Sequence, residues 1–84
     1  MMNSSDKQRK AEDQNAAEAI AARIRKGLDE NQWSQQELSR QSGVDVMQIS
    51  RLLRCEIGLS AVTLVMLADA FKCSTDEFFP IAVD

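Results

Sequence analysis

Histidine and tyrosine are absent from this 84-residue chain, and proline occurs once. Without histidine there is no imidazole for general acid–base work near neutral pH, and one common metal ligand is missing. No glycine-rich phosphate loop is present, and the acidic residues are scattered, so an enzyme is not expected. The only two cysteines, Cys55 and Cys73, do not form a CxxC pair and are too few for a zinc site. No metal or other cofactor, and no small-molecule ligand, is expected. The N-terminus lacks the apolar core of a signal peptide. The longest apolar run, residues 61–68 with Thr63 inside it, is far too short to span a bilayer. Reduced thiols in a cytoplasmic protein with no membrane partner are the simplest reading, with Cys73 as a small core residue.

What remains is one domain, large enough for a single small core. Scarce proline, no tyrosine and several alanine-rich periodic stretches point to an all-α fold. Ten basic against thirteen acidic residues give a net charge of −3, which argues mildly against a nucleic-acid partner. The distribution of charge matters more than its sum. Residues 34–54 carry Glu37, Arg40, Asp45, Arg51 and Arg54, a local excess of one positive charge. The acids concentrate elsewhere, at Asp29, Glu30, Asp69, Asp76, Glu77 and Asp84.

Two helix-start signals stand only eleven residues apart. Trp33-Ser34-Gln35-Gln36-Glu37-Leu38 and Val44-Asp45-Val46-Met47-Gln48-Ile49 each combine a capping box with a hydrophobic staple. Between them fits a two-turn helix, and Gly43 sits where that helix must stop in a left-handed conformation. Short helix, tight glycine turn, second helix is the layout of a DNA-reading helix-turn-helix.

The rest of the chain fits around this pair. Residues 1–15 are polar and charge-balanced, and read as a flexible or helical arm preceding a domain of residues 16–84. Ala17, Ile20, Ala21, Ile24 and Leu28 form one stripe of a first helix, with Arg23, Arg25 and Lys26 beside it. Gly27 weakens this helix slightly. Helices two and three run from about 35 to 42 and from about 46 to 53. After a loop at 55–59, helix four starts at Ser60 and turns Leu64, Leu67, Ala68 and Phe71 inward. A last cap signal, Cys73-Ser74-Thr75-Asp76-Glu77-Phe78, begins a short fifth helix that Pro80 ends.

Gln35, Glu37-Leu38, Gly43-Val44, Ile49-Ser50-Arg51-Leu52, Leu64, Leu67-Ala68, Phe71, Ser74 and Asp76-Glu77-Phe78, in this order and spacing, resemble the phage-repressor/Cro class, the XRE family. The resemblance covers nearly everything but the N-terminal arm. It implies a five-helix lambda repressor-like domain with the helix-turn-helix at helices two and three. It implies a homodimeric transcription regulator, a repressor, whose partner is double-stranded DNA. In that family helix three enters the major groove, so base contacts are expected from Val46, Met47, Ser50 and Arg51. Phosphate contacts are expected from Gln35 and Arg54, and Arg40 is a further candidate. Arg51 can donate two bonds to guanine, and Ser50 can bond either way. Val46 and Met47 offer only apolar contact, as to a thymine methyl. They stand where the family has polar residues. Ser39 and Ser42 replace small inner positions, and each hydroxyl can bond the carbonyl four residues back. Cys55 and Lys72 replace glycines, so Cys55 is expected at positive φ.

Helix four carries more apolar residues than one inward face needs, in Val62, Val65 and Met66, and Phe79 and Ile81 extend the surplus. A dimer interface through Val65, Met66, Phe79 and Ile81 would use them. The rival reading is a protein-interaction module on the same fold, partner-binding or antitoxin-like, with little or no DNA binding.

Overall fold

A computed structural model describes the backbone of residues 4–79 and the side chains of residues 16–79. Four α-helices and a closing 3-10 turn follow one another, and the described residues include no strand. The helices are α1 (Ser4–Asn31), α2 (Gln35–Ser42), α3 (Val46–Leu53) and α4 (Ala61–Phe71). The helix α1 extends N-terminally beyond its apolar stripe to Ser4.

The expected fifth helix is instead a 3-10 turn, Thr75–Phe78. Ser74 caps it as anticipated, but its hydroxyl accepts from Asp76 N–H, and the Glu77 side chain reaches Arg23 instead of returning to the cap. There is no room to continue. Phe79 precedes Pro80 and is already extended, at φ −124° and ψ 139°, as a residue before proline prefers.

The core gathers one face from each element: Ile20 and Ile24 from α1, Leu38 from α2, Ile49, Leu52 and Leu53 from α3, Leu67 and Ala68 from α4, and Phe78 from the turn. Val44 adds the residue that links the motif helices. Fully burying an Ile, Leu or Phe contributes about 1.5–3 kcal/mol, and Ile24, Leu38, Ile49, Leu52, Leu67 and Phe78 are all fully buried. Leu28, Leu64, Phe71 and Cys73 pack around this cluster.

Gly27 has a use that helix propensity does not indicate. The ring of Phe71 lies so close that a Cβ on Gly27 would sit 2.4 Å from Phe71 Cε1. That ring stacks on Trp33 at 5.9 Å and on Phe78 at 6.4 Å, centroid to centroid. The Arg23 guanidinium lies over both Phe71 and Phe78, at 5.4 and 5.8 Å. Its side chain is only 9% exposed and pairs with Glu77 at 3.2 Å, tying the last turn to α1. The Arg23 Nη1 atom is buried without a hydrogen-bond partner. The aromatic faces lower the cost of burying this charge.

Three helices end in the same way, and none of them on glycine. Gln32, Cys55 and Lys72 have φ of 56°, 60° and 55°. In each case the following residue's N–H bonds a carbonyl five residues back: Trp33 to Leu28, Glu56 to Arg51 and Cys73 to Ala68. This is a Schellman closure with a side chain in the left-handed position, which costs roughly 1–2 kcal/mol over glycine. Only α2 ends on glycine, Gly43 at φ 83°.

Candidate nucleic-acid interface

The motif is built from α2, the Gly43 turn and α3. Ser34 caps α2 by accepting from Glu37 N–H at 3.1 Å. Glu37 does not return to the cap; its carboxylate takes Gln41 at 2.8 Å and Arg40 at 3.6 Å. Gly43 N–H closes on the Ser39 carbonyl at 2.8 Å. The Ser42 hydroxyl turns forward and accepts from Val44 N–H at 3.1 Å, the opposite direction to the expected back-bond. Leu38, Val44, Ile49 and Leu52 then lock the two helices on their inner faces.

The start of α3 departs from the sequence pattern. Asp45 makes no side-chain cap bond. Gln48, which would complete a capping box, donates instead to Thr63 Oγ1 on α4 at 3.1 Å. Staple and boundary survive, because Val44 and Ile49 are both buried and α3 still starts at Val46.

The outward face of α3 presents Met47, 57% exposed, and the exposed Arg51, with Val46 and Ser50 half-buried beside them. Arg51 has no acidic partner among the described residues. The other two cations of the stretch are held. Arg40 pairs with Glu37, and Arg54 pairs with Glu56 at 3.1 Å. Gln35 is exposed at the first position of α2. The predicted DNA-facing residues are therefore all at least partly accessible, but only one carries an uncompensated positive charge.

The far end of α3 shows a residue that sequence reasoning passed over. Arg25 Nη2, on α1, donates to the Leu53 carbonyl at 2.9 Å. Twenty-eight residues separate the two, and no local pattern announces such a bond.

The surplus apolar residues divide. Val62 and Val65 on α4 are 71% and 58% exposed, and Phe79 is also exposed. Met66 is half-buried against the core, with its Cε where it would meet a Cβ on Gly43 at 3.2 Å. Ile81 lies outside the described residues. No helix among the described residues is long and apolar enough to cross a membrane.

A family model for the Cro/C1-type HTH DNA-binding domain matches residues 23–81. The chain belongs to this family. The match begins within α1 and takes in both motif helices, α4 and the closing turn. No curated protein and no solved structure gives a significant match. Family membership makes the helix-turn-helix a DNA-binding one by type.

Proposed function

We propose that this Cro/C1-type domain is a sequence-specific transcriptional repressor that binds DNA as a homodimer, with α3 in the major groove. The observation that carries the reading is Arg51: an exposed guanidinium without an acidic partner among the described residues, on the outward face of the second motif helix. Arg51 and Ser50 are the chief base readers, Val46 and Met47 supply apolar contact, and Gln35, Arg54 and Arg40 reach phosphates. Exposed Val65 and Phe79 support a self-association surface, to which Met66 and Ile81 contribute. Two copies of α3 about 34 Å apart would meet successive major grooves.

Arg51→Ala is expected to cost about 1–3 kcal/mol at one operator position and to relax base preference there. Competition binding against single-base variants of a selected duplex measures this. Equal discrimination by both proteins would remove Arg51 as a reader.

The Arg54–Glu56 pair makes a separate prediction. An exposed pair of this kind is worth about 0.2–1 kcal/mol, little enough for a phosphate to displace it. Glu56→Gln frees Arg54 and removes a repelling charge. Affinity should rise severalfold on all duplexes alike, with a salt dependence steeper by up to about one counterion. Fluorescence anisotropy across a salt series reads both quantities.

The net charge and the Val46-Met47 pair favour a second reading, in which the same surface docks a protein. A DNA-contacting dimer loses affinity steeply between low and physiological salt. Failure to retain any duplex at low salt would leave the docking reading standing.

A further inference from the structure

Helix α3 is only eight residues long, about 12 Å. Its buried residues, Ile49, Leu52 and Leu53, decide which face turns inward. Apolar packing is non-directional, so it restrains rocking about that contact less than a directional bond does. Directional bonds at the two ends would stop such rocking, and both ends have one.

At the C-terminal end the four orphan carbonyls can be accounted for one by one. Arg54 N–H bonds the Ser50 carbonyl at 3.1 Å, Glu56 N–H that of Arg51 at 2.9 Å, and Cys55 N–H that of Leu52 at 3.1 Å. The fourth, Leu53, receives Arg25 Nη2 from α1 at 2.9 Å. A cation on the last carbonyl also suits the negative end of the helix dipole. At the N-terminal end Gln48 crosses to Thr63 on α4. Thr63 is buried and already fixed, because its Oγ1 also accepts from the Ser60 hydroxyl at 2.9 Å and its N–H bonds Ser60 Oγ at 3.2 Å. Gln48 thus ties α3 to the first turn of α4.

We propose that Arg25 and Gln48 are positioning residues that hold the two ends of α3 so that Ser50 and Arg51, between the ties, meet the bases in register. The inference rests on the DNA reading above. A two-bond contact from arginine to guanine tolerates little misalignment, and side chains that bond the supporting helix set that alignment. Neither residue need touch a base for sequence preference to depend on it.

The test compares affinity for a selected duplex with affinity for a scrambled one, at a temperature where circular dichroism shows every variant folded. The probes are the full chain, Arg25→Gln, Arg25→Lys and Gln48→Met. The ratio of specific to scrambled affinity should fall about tenfold in Arg25→Gln. It should stay within about twofold of the parent in Arg25→Lys, which keeps a charged donor. Gln48→Met keeps volume and leaves Thr63 bonded to Ser60, so folding should survive while the ratio drops severalfold. A destabilising role without positioning would lower both affinities together and leave the ratio fixed, which would overturn the inference. A parent chain that prefers no duplex would overturn the DNA reading itself. Preference in the parent with unchanged ratios in Arg25→Gln and Gln48→Met would overturn the positioning role alone.

Discussion

Replacing Phe78 by alanine is expected to cost about 3–5 kcal/mol of folding stability, the range for truncating a buried phenylalanine. Phe78 is fully buried, although the 3-10 turn that carries it is only four residues long. Its ring is the inner end of the stack that runs through Phe71 to Trp33, and the Arg23 guanidinium rests over it. Removing it leaves a void and uncovers one side of a nearly buried charge. A chain of this length holds roughly 4–13 kcal/mol in total. The loss therefore takes away at least about a quarter of the margin. A urea titration should show the midpoint falling steeply at an unchanged slope. A midpoint shift worth less than about 1 kcal/mol would mean that the last turn is not part of the core.

Gly27→Ala is expected to destabilise by about 1–3 kcal/mol, against the usual sign. In an ordinary helix interior this change gains close to 1 kcal/mol. Here the new Cβ would stand 2.4 to 2.7 Å from three atoms of the Phe71 ring. The ring is in contact with Trp33, Phe78 and Arg23, so stepping aside disturbs all three. In thermal unfolding each kcal/mol corresponds to about 4–8 °C for a domain of this size. Gly58→Ala is the control: a Cβ there meets nothing within 4 Å, and the change should stay within about 0.5 kcal/mol. A stabilised Gly27→Ala would contradict the close approach of α1 and Phe71.

These two positions mark where the sequence was readable and where it was not. Helix periodicity located the stripe of α1, and the cap signals at Ser34, Asp45 and Ser60 located the starts of α2, α3 and α4. Such signals are local and act through neighbours in the chain. Three things escaped them. Gly27 is set by an aromatic ring more than forty residues away. The side chains that should have closed capping boxes were recruited by other partners: Gln48 and Glu77 by neighbouring elements, Glu37 by Gln41 and Arg40 within its own helix. Gln32 in a left-handed conformation was hidden because glutamine carries no turn signal, whereas Cys55 was expected there from the glycine it replaces. At the candidate site, the residues expected on α3 were implied by the family resemblance, and of these Met47 and Arg51 are exposed. The ion pairs that occupy Arg40 and Arg54 were not implied by it, and they shift the weight of the reading onto Arg51.

The account stands on α3 reading base sequence. Selection of bound duplexes from a random pool at low salt tests this most directly. The expected result is a two-fold symmetric consensus, with half-sites about one helical turn apart and a base preference that Arg51→Ala erases at one position of each half. Recovery of a pool as random as the one supplied would contradict it.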